Sequence, residues 1–584
     1  MALRSPHMKP QRSDLDGDHL SSINRSYFDT GIMDEPPLPA VDEQTPLLIP
    51  PTTEWNLDLD DYYETGSLCG DRRSLSFLNL IGIMYFAVSG GPEGTEGIIS
   101  AGGPKFALLG IAATSVLWSM PIALLSAEMV TAVPQNGGPM VWSRAAFGAG
   151  TAMGDFVAFL AGWLSFLFTA VDAALYPSMF MSYLVAGTGI ALTPVHITFG
   201  KLLFVAALTA HNVAGVESVG ASSSVMIIAL LAPFVAFIFV AFTGVAGWAF
   251  SPGNWLVGAL TPSSAVDYTV LLLWNMGMWE SAASCAGEVQ NPSKTFPRAL
   301  AAVLFLVVLN YALPIMAFTG VDDNYDKYVN GYYVKIATQV GGKAFGSALA
   351  LGQCISTIGL FSNSVVKNSY LLCGMGEQTL LPKLFSDRWS VTNAPIFSIA
   401  ASSLVTVIMV MLDSFSVVLS IDMMLYSMVL MIEIAAFIKL RYSFPDLQRG
   451  YKIPISGPWL FIFFTPVIAF GILLICTTSL QGILLVAFLI LIGVMLFSGL
   501  WIYRQQSPTV FQQAPSEVPE ILESPACSRL GTPAPSHQGS SYRESAQHSS
   551  VRSGQGSAQG EYDTHWDASW DHPLYQGRDA ITGL

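Results

Sequence analysis

From Ser74 to Tyr503 the chain alternates long apolar runs with short polar or Gly/Pro-rich interruptions. A helix rises about 1.5 Å per residue and a bilayer core is roughly 30 Å thick, so runs of about 20 apolar residues are the length that spans it. Taking each run as one helix predicts spans near 74–98, 105–131, 151–186, 198–215, 219–247 and 266–288. A second set follows near 298–319, 344–373, 394–412, 415–440, 457–478 and 481–503. The expected fold class is an all-α integral membrane protein of about twelve transmembrane helices. The alternative, a soluble bundle of buried helices, conflicts with a charged fraction of only 11%, where soluble domains carry about 25%.

Charge divides the chain further. The net charge of −15 does not come from the apolar region. Residues 1–71 hold 14 acidic side chains against Arg4, Lys9, Arg12 and Arg25. This gives three expected parts: an acidic tail over 1–73, a transmembrane domain over 74–503, and a Ser/Gln/Gly/Pro-rich tail over 504–584. Neither tail carries enough apolar surface to fold, so both are expected to be disordered. With the N-terminus inside, cytosolic segments receive Arg72, Arg73, Arg144, Lys294, Arg298, Lys383, Arg388, Lys439, Arg441, Arg449, Lys452 and Arg504. The outside receives only Lys105, Lys201, Lys327, Lys335 and Lys343. The positive-inside bias therefore puts both termini in the cytosol. Cys69 and Cys527 fall in the tails, while Cys285, Cys354, Cys373 and Cys476 fall in or near spans, so no disulfide framework is expected.

Two spans are interrupted. In the first, Ser89-Gly90-Gly91-Pro92 breaks the helix, and Glu93 and Glu96 follow. In the sixth, Asn275 and Gly277 loosen the ladder three residues before Glu280. Lipid offers a freed backbone group no partner, so each break needs a reason. Kinking by Gly and Pro is one reading. Paired breaks in the first and sixth spans are also the pattern of a transporter with two inverted five-helix repeats plus two extra helices, in which broken ends meet near the midplane.

Ionisable groups at membrane depth cost about 2.5–3.5 kcal/mol on insertion scales. The candidates are Glu96, Glu128, Asp155, Asp172, Glu280, Asp422 and Glu433, with Lys367 the single base. Glu280, just past the second break, suits an ammonium group through charge-assisted hydrogen bonds; a structural ion pair with Lys367 is the alternative. Asp172 and Tyr176 stand one turn apart on one helical face, pairing an anion with a ring that suits an alkyl-ammonium chain. A hydrogen bond to a neighbouring helix would also explain that Asp. Trp274, Trp279 and Tyr85 are candidate cavity walls or plain packing. Gly90 and Gly91 can expose amides toward a substrate. Glu93 and Glu96 either attract cations or cap a turn, Glu128 and Glu433 are expected to be structural, and Asp155 is expected to be solvated or capping.

Several motifs together resemble the amino acid–polyamine–organocation superfamily, and within it the plant polyamine uptake transporters and trypanosomatid polyamine permeases. They are "SGGPEGTE" (89–96), "WSMPIALLSAEM" (118–129), "NGGPMVW" (136–142), "VDAALYP" (171–177), "LLLWNMGMWESAASCAGEVQNPSKTFPRAL" (271–300), "IEIAAFIKLRYSFPDL" (432–447) and "YKIPISGP" (451–458). The resemblance implies import of putrescine or spermidine by proton symport. It also implies roles near substrate for Asn275 and Tyr426 and favours Glu96 over Glu93. The chain departs from the family at Ile122, where a Glu is usual, at Ala173, where an Asn is usual, and at Ser182, often an acid.

Acids at 96, 172 and 280 would repel a substrate carboxylate, which ranks polyamines above cationic and then neutral amino acids. The expected partners are a small organic cation, protons and the bilayer, with no nucleic acid, no cofactor and no metal. A non-transporting nutrient receptor signalling through its tails is the reading from a different class. A heavy-chain subunit is not expected, because the loop "GTGIALTPVH" lacks a cysteine for the bridge. Enzymatic motifs do not occur. "EQTPLL", with Glu43, Leu47 and Leu48, matches an acidic-dileucine sorting signal that would recruit a clathrin adaptor. The plasma membrane is the expected site, with an endosomal or lysosome-like membrane as the alternative.

Overall fold

The computed structural model describes residues 73–148, 150–244, 250–411 and 415–511. The sorting residues Glu43, Leu47 and Leu48, and nearly all of both expected tails, lie outside the described residues. Among the described residues fifteen α-helices follow in chain order. The first group is α1 (Phe77–Val88), α2 (Thr95–Thr114), α3 (Met120–Ala132), α4 (Pro139–Phe147) and α5 (Ala152–Ala173). Next come α6 (Leu175–Thr188), α7 (Pro194–Asn212), α8 (Val216–Thr243), α9 (Pro262–Asn275) and α10 (Pro292–Val321). The last are α11 (Tyr332–Glu377), α12 (Ile396–Val410), α13 (Phe415–Ser443), α14 (Trp459–Thr477) and α15 (Leu480–Gln506). Among the described residues nine helical stretches are long and apolar enough to cross a bilayer, and α1 and α12 are shorter apolar helices.

Local chemistry sets the ends. Pro139, Pro194, Pro262 and Pro292 each open a helix, where the missing N–H costs nothing. Thr151, Thr193, Thr261 and Ser479 cap the first turns of α5, α7, α9 and α15. Gly103 (φ 79°, ψ 169°) interrupts α2 immediately before Pro104, so one long apolar stretch turns sharply at that point. A π-helical turn over Ser115–Ser119 joins α2 to α3.

The helices pack around α1 and the irregular segment after α9. α1 lies against α8, α10 and α11; α11 lies against α6 and α8; α5 lies against α4 and α13. Leu75, just before α1, is stitched to the end of the second broken segment: its amide donates to the Glu288 carbonyl (2.9 Å), and its carbonyl accepts from Gln290 (3.0 Å). Toward the outside, α7 and α15 expose Phe199, Leu203, Leu484, Phe488 and Met495. Such continuous apolar faces suit lipid.

Buried arginine clusters tie the helix ends together. Glu128 accepts hydrogen bonds from Arg441 and from the Ile453 amide (2.8 Å), with Arg449 at 3.0 Å. Arg388 bridges Glu288 and Glu377, both at 2.9 Å. Burial disfavours the Arg388 cation, but Glu288 and the other anions around it outweigh this and hold its pKa above the ordinary value. Asp155, expected to be solvated or capping, is instead buried between Arg144 (3.0 Å) and Arg504 (2.8 Å). It opens α5 as a first-turn acid, but the last helix brings a second arginine that local sequence could not announce.

Candidate functional site

The first interruption is built from glycine. α1 ends at Val88, and Gly91 takes φ +99°. The Gly91 amide donates to Ser89 Oγ (3.2 Å), and the Gly90 carbonyl accepts from Ser356 of α11. A Cβ at Gly90 would lie 2.3 Å from Leu360 Cδ1, so only glycine lets α11 approach this closely. Gly94 (φ +80°) starts α2, and a Cβ there would meet Asn275 Oδ1 at 2.7 Å. The two broken segments therefore touch.

In the second interruption α9 stops at Asn275, Met278 takes φ 65°, and a 3-10 turn over Ser281–Glu288 follows. Side chains take up the freed backbone groups, as the absence of water in lipid demands. The Met276 carbonyl accepts from Ser119 (2.7 Å) and Trp279 Nε1 (2.8 Å). The Asn275 carbonyl accepts from Tyr311 (3.0 Å), and the Met278 amide donates to the Tyr426 hydroxyl (2.8 Å).

Between the breaks lies a cavity of about 20 Å³ lined by Gly90, Glu93, Tyr176, Trp274, Asn275 and Met278, among others. That holds about one water, so the structure is closed around it. Glu93 is 4% exposed and is ion-paired to no described base; the Tyr183 hydroxyl lies beside its carboxyl group, outside good hydrogen-bond geometry. Behind the cavity wall, Asp172 accepts from Tyr176 (2.7 Å), Trp274 Nε1 (3.2 Å) and Ser364 (3.3 Å). On another side, Glu280 accepts from Tyr426 (3.1 Å) and Ser281 (3.3 Å). Tyr176, Trp274 and Tyr426 each join a cavity-lining position to a buried acid.

The other predicted residues divide clearly. Glu96 does not line the cavity; its Oε1 accepts from the Gly331 (3.1 Å) and Tyr333 (3.0 Å) amides at the start of α11. This is N-terminal capping by an anion. Glu93, the acid the sequence reading ranked second, lines the cavity instead. Trp279 is 1% exposed and tied to Met276, and Tyr85 packs edge-on to Phe86 beside Tyr311 and Glu93; neither itself lines the cavity. Lys367 forms no direct ion pair with Glu280; its ammonium sits 3.9 Å from the centre of the Phe168 ring. Asp422 and Glu433, both on α13, are buried with no partner at any carboxylate oxygen.

Comparison with known proteins gives a consistent picture. A family model described as amino acid permease matches residues 75–497. A polyamine transporter of Arabidopsis thaliana is 32% identical over 388 residues, covering 66% of this chain and 76% of that protein. A polyamine transporter of Oryza sativa subsp. japonica is 32% identical over 392 residues, covering 67% and 71%. A human cystine/glutamate transporter is 28% identical over 180 residues, covering 30% and 35%.

Proposed function

The chain belongs to the amino acid permease family and is a multi-pass membrane transporter, not an enzyme; from that premise we propose that it imports polyamines such as putrescine or spermidine, by proton symport with alternating access. The observation that carries this reading is Glu93, a buried carboxyl group that lines a cavity between two helix breaks and is ion-paired to no described base, with Asp172 and Glu280 one ring behind the wall. A diamine carries two ammonium groups on an alkyl chain. Carboxylates replace the hydration of those groups, and Tyr176 and Trp274 supply rings for the methylenes. Amino-acid carriers of this architecture hold a substrate carboxylate on freed amides. Here the Gly91 amide already donates to Ser89, which favours an amine over an amino acid.

Transport follows from the closed cavity. A polyamine does not fit a space for one water, so binding requires the helices around the breaks to part on one side and then the other. A cytosol-negative potential contributes about 2.3 kcal/mol per charge per 100 mV, so a dication is drawn inward before any proton is coupled. In this reading the fold comprises about twelve spans in two inverted repeats, with both termini cytosolic. The plasma membrane is the site, or an endosomal membrane if an adaptor reads Glu43, Leu47 and Leu48.

Uptake of labelled putrescine in a transport-deficient host tests the reading. Spermidine should compete strongly, and leucine or glutamate barely. Competition by arginine but not by spermidine would transfer the site to cationic amino acids. Equal competition by leucine would overturn the amine reading, and binding without uptake would make the protein a receptor.

A further inference from the structure

The substrate site leaves two buried acids unused. Asp422 and Glu433 are 0% and 1% exposed, and none of their four oxygens has a partner. They lie on α13 with Tyr426 between them, at positions i, i+4 and i+11. At 100° per residue these fall within about 40° of one another on one face, spread over roughly 16 Å of helix. Asp172, Tyr176 and Lys367 face Asp422, while Glu280, Tyr426 and Lys367 face Glu433. Lys367, on α11, thus looks onto four carboxylates and is ion-paired to none.

One ammonium cannot balance four anions in a medium where an unpaired charge costs several kcal/mol. Substrate ammonium groups compensate Asp172 and Glu280, which adjoin the cavity. None of the four acids lines the cavity, but hydrogen bonds through Tyr176, Trp274 and Tyr426 tie Asp172 and Glu280 to residues that do, whereas Asp422 and Glu433 have no such link, so the positive charge they need is assigned to protons. Their row along α13 runs from the level of Asp172 toward the helix end at which Arg441 meets Glu128, which the arginine distribution assigns to the cytosol.

We propose that Asp422 and Glu433, with Lys367 between them, carry the coupled proton along this face of α13. The inference rests on the symport reading above. In each cycle a hydronium ion on the outer side gives one proton to an Asp422 oxygen and leaves as water. Substrate ammonium groups arriving at Asp172 and Glu280 repel the Lys367 ammonium. It then loses one N–H proton to a Glu433 oxygen, and the Asp422 proton restores the lost N–H. Glu433 releases its proton to water on the cytosolic side. One proton enters and one leaves, and Lys367 ends as it began. Lys367 touches no carboxylate in the closed state, so the hand-over accompanies opening of the cavity.

The test uses the full chain reconstituted in liposomes at a clamped potential, with labelled putrescine. For one proton per cycle, each pH unit of outside acidity should raise wild-type steady-state accumulation about tenfold. D422N and E433Q should lose that response and keep putrescine/putrescine exchange at zero gradient. A responsive wild type with both variants equally responsive overturns the relay alone. A wild type that ignores the pH gradient overturns the symport reading and the relay with it. Loss of exchange together with the pH response makes the substituted acid structural and removes it from the relay.

Discussion

Glu93→Gln separates binding from folding more cleanly than any other substitution at the site. The polar side chain beside Glu93 is the Tyr183 hydroxyl, and a glutamine keeps an acceptor for it, so the swap removes charge without removing that contact. A neutral amide left unsatisfied costs about 1–3 kcal/mol, and a charge left unsatisfied costs more. Stability should therefore hold or rise slightly. Binding should behave oppositely. Losing one partner of a buried charged hydrogen bond costs about 2–5 kcal/mol, a loss of roughly thirty- to several-thousand-fold in apparent affinity. Surface biotinylation and a thermal melt in detergent should match wild type, while the half-saturation concentration for putrescine rises at least about thirtyfold. Normal uptake by the variant would refute the assignment of Glu93 to the site. Loss of the protein from the surface would refute the argument that its carboxylate is structurally idle.

Glu280→Gln should also cut uptake severely with membrane delivery intact, because it keeps an acceptor for Tyr426 but removes the charge; normal transport would make Glu280 structural. Glu128→Gln should act on stability instead: it disrupts pairs with Arg441 and Arg449, and breaking such a buried pair costs about 3–5 kcal/mol, read as lower surface abundance with an unchanged half-saturation concentration. Leu47→Ala with Leu48→Ala should raise surface biotinylation and whole-cell uptake without altering affinity, and unchanged surface abundance would show that the dileucine match is chance.

The breaks were legible because glycine and proline act locally. Ser89-Gly90-Gly91-Pro92 and Asn275–Gly277 interrupt helices for reasons that a few residues contain. Asp172 and Tyr176 were legible as a pair because one helical turn separates them, and the 2.7 Å hydrogen bond follows. The division of labour between Glu93 and Glu96 was not legible. It depends on the Gly331 and Tyr333 amides, more than 200 residues away, which take Glu96 and leave Glu93 at the cavity. Asp155 reads as a capping residue from its own helix and becomes a buried ion-pair centre only when Arg504 arrives. Trp279 has the composition of a cavity wall, but its indole closes the backbone break at Met276.

Polyamine import through the Glu93, Asp172 and Glu280 site is the step on which the proposed function stands. Its most direct measurement is labelled putrescine uptake into liposomes holding the purified full chain, under an inside-negative potential. The account predicts inward accumulation above the outside concentration, accompanied by inward current, and collapse of both in Glu93→Gln. Wild-type liposomes that bind putrescine without accumulating it, or that accumulate leucine in its place, would contradict it.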